Sequence, residues 1–178
     1  MVPNISWLQK TENFFFRGAA AGWAGGADGL LLHRDDGAPG MEEWRDVTYT
    51  NRHDYPGFEL VDRWGIDPCS GKPSGHILIT LRNIPVWCMW IGGGSYEKEV
   101  FPFLRKVLSG TYQSRSFCGG RGPEKYLYED LLYTNKWEGD FSQFSGREQI
   151  EFIASDGTKH SLGTHDYRGG SLVFQKPD

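Results

Sequence analysis

The sequence predicts a single α+β domain: a largely antiparallel curved β-sheet packed with an N-terminal helix and a central helix. Three observations predict it: two apolar stretches at helical spacing, several short alternating stretches, and turn signals along almost the whole chain. With 24 Gly and 9 Pro in 178 residues, breakers recur too often for long helices. A hydrophobic fraction of 38% with 15% aromatics is a globular composition, and the length suffices for one core, so residues 1–178 are read as one domain.

Ser6 followed by Gln9 reads as a capping box, and Trp7, Leu8, Thr11, Phe14, Phe15 and Gly18 form one helical stripe ending near Ala21 to Gly22. From Trp23 to Gly57 the chain is Gly-rich and polar, with one strand-like run at Leu30 to Leu32. No Walker pattern is present and no GxGxxG opens a helix there, so these glycines mark turns. Phe58 to Gly65 reads as a strand and Asp67 to Ser74 as a loop. His76 to Arg82 is a strand that turns at Asn83 and returns through Val86 to Ile91. A turn at Asn83-Ile84 places Ile77 opposite Trp90 and leaves both faces of this pair apolar, which predicts a central pair covered on both sides, with Cys88 in the core. Ser95 can cap a second helix carrying Val100, Phe103, Leu104, Val107 and Leu108, ended by Gly110; Pro102 either kinks it or marks its start. A loop from Ser114 to Lys125 and a strand around Tyr126 to Tyr133 follow.

The chemistry concentrates in the last quarter. Ile150, Phe152 and Ala154 alternate with polar residues, and the run ends in Asp156-Gly157, a two-residue hairpin signal. Counting outward, Ser155 faces Thr158, Phe152 faces Ser161, Ile150 faces Gly163, and Glu148 faces His165. Glu148 thus shares the face of Ile150 and Phe152, where a carboxylate is costly unless paired, and His165 with Tyr167 beyond it would pair it. The plainer alternative is a solvated Glu at the open end of the hairpin. Tyr49-Thr50-Asn51 recurs as Tyr133-Thr134-Asn135, and Gly93-Gly94-Ser95 as Gly169-Gly170-Ser171, suggesting an internal repeat of 49–95 and 133–171.

Two functional expectations follow. The first is a small-molecule-binding module whose pocket is lined by Trp87, Trp90, Phe152 and Tyr167, with Glu148, His165 and Arg121 as polar anchors. The second is a small cofactor-independent enzyme of cyclase, isomerase or hydrolase type. There Glu148 and His165 act as an acid–base pair, with burial raising the carboxyl pKa and the carboxylate raising that of the imidazole, and Arg121 holds a substrate anion. A third, ranked last, is a protein interaction domain anchored by Trp44, Tyr55 or Trp64.

A formal net charge of -4 with scattered Lys and Arg gives no basic field, so direct nucleic acid binding is not expected. The absence of an apolar run of membrane length and of a signal peptide pattern predicts a soluble cytoplasmic protein without membrane contact. Cys69, Cys88 and Cys118 are odd in number, widely spaced and form no CxxC, which argues against a disulfide framework or zinc ribbon; Cys69 and Cys118 fall in loops. His160 and His165 lie five apart, on opposite faces of a regular strand, and His53-Asp54 has no close partner, so no metal is assigned. No cofactor is assigned either, and the oligomeric state is left open.

At Pro85-Val86-Trp87-Cys88-Met89, Phe103-Leu104, Arg121-Gly122-Pro123, Gly139-Asp140-Phe141, Phe144-Ser145-Gly146-Arg147-Glu148 and Tyr167-Arg168-Gly169-Gly170, the chain resembles the domain of unknown function 5680 family. Its members occur alone or behind Xre-type helix-turn-helix domains. By analogy, the resemblance implies a module that senses a small molecule. The family pattern has a second acid in a Gly-x-Glu context in its first half. This chain has Gly75-His76-Ile77 there, so no role needing two symmetric acids is carried over.

Overall fold

A computed structural model describes residues 6–31, 44–66 and 72–173. In chain order the elements are α1 (Trp7–Ala21), a 3-10 turn (Trp23–Gly25), β1 (Leu30–Leu31), β2 (Arg45–Thr50), β3 (Phe58–Ile66), β4 (Pro73–Leu81) and β5 (Ile84–Gly92). A second 3-10 turn (Lys98–Val100) leads into α2 (Phe101–Ser114), followed by β6 (Lys125–Tyr128), β7 (Leu131–Asp140), β8 (Gln143–Ile153) and β9 (Lys159–Ser171). The described strands form one antiparallel sheet in the order β1-β2-β3-β4-β5-β9-β8-β7-β6. Two meanders, β1–β5 and β6–β9, therefore meet at the β5–β9 seam, and each is preceded by a helix.

Both helices pack on one face of the sheet. Ser6 Oγ accepts from the Gln9 backbone N–H at 3.2 Å and starts α1, which buries Phe14, Phe15, Phe16 and Ala19. Phe14 sits 5.2 to 5.3 Å from the rings of Tyr49, Tyr55 and Phe58, while Phe15 meets Trp87 at 4.9 Å. On the inner face of the sheet Leu60, Ile79, Trp87, Met89, Tyr133 and Ile150 are fully buried. Among the described residues no helix is long and apolar enough to cross a membrane.

Several expectations are corrected. The polar run before Phe58 contains β2, which periodicity missed because its burial alternates only weakly. Tyr126 to Tyr133 is two strands rather than one, with Glu129 in the left-handed region at the turn between them. Pro102 lies at the start of α2, but the helix runs through Gly110, which faces open space, and stops at Arg115 in the left-handed region.

The first hairpin turns at Arg82 and Asn83, both with positive φ, and an irregularity at Ile79/Thr80 follows. Ile77 therefore faces Met89, while Trp90 faces His76. Ile77, Ile79, Trp87 and Met89 share the helix-covered face. Leu78 and Cys88 are half-buried on the other face, and Trp90 is 39% exposed, so this pair is covered on one side only. The Tyr-Thr-Asn marker ends β2 in the first meander, with Asn51 just beyond the strand, but lies within β7, one strand nearer the seam, in the second. Leu32, Cys69 and most of the loop expected at Asp67 to Ser74 lie outside the described residues; β4 already begins at Pro73.

Candidate functional site

The second hairpin places Glu148 opposite His165, as counting predicts, through two compensating departures. Ala154 N–H donates to Thr158 O at 2.8 Å and Gly157 N–H to Ala154 O at 2.8 Å. With Gly157 left-handed, the turn holds one residue more than a two-residue hairpin. This shifts Phe152 from Ser161 to His160, and a bulge at Ile150/Glu151 restores the original register, so that Ile150 faces Gly163 and Glu148 faces His165.

Glu148 is fully buried on β8, flanked by Asn135 of β7 and His165 of β9. Its partner comes from the loop after α2. Gly119 and Gly120 adopt positive φ there, so the backbone turns sharply and Arg121 enters the interior. Asn135 Nδ2 clamps that loop, donating to Cys118 O at 3.0 Å and to Gly122 O at 2.7 Å. Arg121 Nη2 donates to Glu148 Oε1 at 2.5 Å. Tyr133 OH donates to Glu148 Oε2 at 2.7 Å while accepting from the Gly122 N–H at 3.0 Å. A Cβ on Gly122 would come 2.6 Å from the Tyr133 ring, so this approach requires glycine. Tyr167 OH donates to Asn135 Oδ1 at 2.6 Å and closes the network.

This arrangement shifts the Glu148 carboxyl in the direction opposite to that expected from burial. Burial pushes the Glu148 carboxyl up, but the Arg121 charge and the hydrogen bonds around it outweigh burial and hold it at about 2. Arg121 is in turn raised well above its ordinary value, because the Glu148 charge overcomes its own desolvation. The shifts keep the pair charged at neutral pH, with Glu148 as the counter-ion of Arg121. His165 Nδ1 lies 3.5 Å from Glu148 Oε1, an ion-pair distance outside hydrogen-bonding geometry. Among the described residues, both His165 ring nitrogens, Arg121 Nε and the hydroxyl of Tyr96, whose ring meets His165 at 4.4 Å, are buried without a hydrogen-bond partner.

Arg121 and His165 also line a cavity of about 340 Å³ between the inner sheet face and the helices. Trp23, Trp64, Ile77, Ile91, Phe101 and Leu104 supply its apolar walls, and Asp62 of β3 supplies a third ionisable group. Asp62 is 8% exposed and accepts from the Trp23 N–H at 2.9 Å. Burial pushes its carboxyl up to about 6, against the lowering effects of that hydrogen bond and of the more distant Arg121 charge. Asp62 was missed in the sequence, although the signal matches that of Glu148: an acid in phase with Phe58, Leu60 and Trp64 on the apolar face of a strand.

The other expected pocket residues are placed elsewhere. Trp87 is core: its ring stacks on Phe141 at 4.8 Å and its indole N–H donates to Phe141 O at 2.9 Å. Trp90 lies on the uncovered face beside Arg168, because the corrected hairpin register turns it outward. Phe152 is half-buried near His160, beyond the bulge that separates it from Glu148. Tyr167 belongs to the network behind the cavity. Of the residues considered as interaction anchors, Tyr55 is buried and Trp64 faces the cavity. Among the described residues no group of three His, Cys, Asp or Glu could hold a metal ion.

Residues 70–172, more than half of the chain, match the family model described as Domain of unknown function (DUF5680). The chain belongs to this family. No curated protein and no solved structure matches it. The family segment carries Arg121, Tyr133, Glu148 and His165, whereas Trp23, Asp62 and Trp64 precede it, so one cavity joins the family domain to the chain before it.

The two buried acids pull the pH profile in opposite directions. Asp62 has a folded pKa above its unfolded value, so the fold favours its protonated form. Its cost is full above about pH 6 and is relieved as pH falls towards 3.8. Glu148 has a folded pKa below its unfolded value, so its contribution is present above 4.5 and is lost as pH falls towards 2. Asp62→Asn is expected to raise stability at pH 7.5 by up to roughly 3 kcal/mol. That gain should vanish near pH 4, and chemical denaturation across this range measures it.

Proposed function

We propose that this chain is a small-molecule-binding module whose ligand occupies the cavity between sheet and helices and presents a hydrogen-bond acceptor to Arg121 and His165. The carrying observation is that, among the described residues, both His165 ring nitrogens and Arg121 Nε are buried without a hydrogen-bond partner, and both residues line the cavity. An unsatisfied buried polar group costs about 1–3 kcal/mol, a cost that a bound acceptor removes. The apolar and aromatic walls, with few convergent polar groups, fit the usual composition of ligand sites. The Glu148 carboxylate holds the Arg121 guanidinium by Nη2, which leaves Nε–H for a ligand.

His165→Phe tests this reading. It keeps a ring against Tyr96 and removes both unpartnered nitrogens, so stability should stay level or rise by about 1 kcal/mol while ligand binding is lost. Native against denaturing mass spectrometry of the purified protein is the readout. A mass present natively, released on denaturation and absent from His165→Phe supports the assignment. A bound mass retained in the variant would move the ligand to another place.

A further inference from the structure

We propose that Asp62 is a second anchor of this cavity and that the ligand it receives carries a protonated amine at the end away from its acceptor. The inference rests on the binding function proposed above and names its ligand class. Asp62 is enclosed by apolar and aromatic groups, and among the described residues no cation forms an ion pair with it. Of the arginines lining the cavity, Arg63 is committed to Asp46 by two bonds of 2.6 Å on the opposite face, and Arg121 to Glu148. Lys98, the remaining cation of the lining, is exposed to solvent. Among the described residues, the hydrogen bond made to Asp62 comes from the Trp23 N–H.

A buried carboxylate answered by one amide costs the fold stability, as its raised pKa reflects, and an acid kept at such a cost suits a function better than a packing role. An ammonium group would form a charge-assisted hydrogen bond with this carboxylate, and Trp64 in the same lining is an aromatic ring of the kind that attracts a cation, whereas the Trp23 ring is already met by the Arg105 guanidinium at 4.7 Å. The topology sets the ligand's shape. β3 and β9 are three strand spacings apart, about 14 Å across the sheet. Asp62 and His165 therefore approach the cavity from separated strands, and a ligand touching both is elongated, with apolar rings or chain between its two polar ends.

Three probes on one rigid two-ring frame test this by isothermal titration calorimetry at pH 7.5: biphenyl-4-carboxylate, 4'-(aminomethyl)biphenyl-4-carboxylate and 4'-(hydroxymethyl)biphenyl-4-carboxylate. The aminomethyl probe is expected to bind the native protein at least about tenfold more tightly than either of the others. In Asp62→Asn, which retains an acceptor for the Trp23 N–H, that advantage should fall to within about twofold while the carboxylate probe binds as before. If the carboxylate probe binds in a His165-dependent way and the amine adds nothing, the amine assignment is overturned and the binding function stands. An amine advantage that survives in Asp62→Asn also overturns the assignment. If none of the three binds, both the assignment and the binding function on which it rests are overturned. The probe comparison on the unmodified protein decides the matter even if Asp62→Asn does not fold.

Discussion

Glu148→Gln is expected to destabilise the protein by about 3–5 kcal/mol, more than a typical single substitution. The glutamine can still accept from Tyr133, so what is lost is the charge that faces Arg121. The guanidinium, 6% exposed, would then be a buried cation with no counter-ion. The sign separates two accounts of this residue. If Glu148 were a proton-carrying catalytic acid, the amide would abolish turnover and leave the fold largely intact; as a structural counter-ion, it takes the fold with it. Removing both charges together, in Arg121→Met with Glu148→Leu, should recover much of the loss, because the uncompensated ion is gone. Urea denaturation of the single and double variants measures both effects.

Trp87→Ala is expected to cost about 3–5 kcal/mol by opening a void in the core. Trp87 is fully buried between Phe15 of α1 and Phe141, and its loss also leaves Phe141 O without its indole donor. Whatever fraction remains folded should bind ligand with little change, since the cavity wall is formed by Trp23, Trp64 and Phe101 instead. A pocket-lining role for Trp87 would give the reverse, lost binding with modest loss of stability.

The contrast between Trp87 and Asp62 shows how much of the site is legible in the sequence. Alternation and turn chemistry identify α1, the strand Phe58–Ile66 but for its last residue, the second half of Gln143–Ile153 from Glu148 on, and the pairing of Glu148 with His165. That pairing survives only because a longer turn and a bulge cancel, and local patterns do not encode such bulges. Arg121 could be nominated from its Gly-rich loop. Its contact with Glu148 depends on Asn135 and Tyr133 holding that loop from another strand, a tertiary fact.

Which face of the first hairpin meets the helices turns on a single residue of register, so Trp87 and Trp90 exchange roles when the turn moves from Asn83-Ile84 to Arg82-Asn83. Asp62 carries the same in-phase acid signal as Glu148 but has no cross-strand ionisable partner: it faces Val47 on one side and Ile77 on the other. Only the cavity reveals it.

A crystallographic fragment screen tests the central claim most directly. The account predicts fragments in the cavity with an acceptor at hydrogen-bonding distance from His165 or Arg121 Nε, about 2.7–3.2 Å. A cavity in which ordered water satisfies those nitrogens and no fragment displaces it would contradict the account, and would make the buried network a device of folding alone.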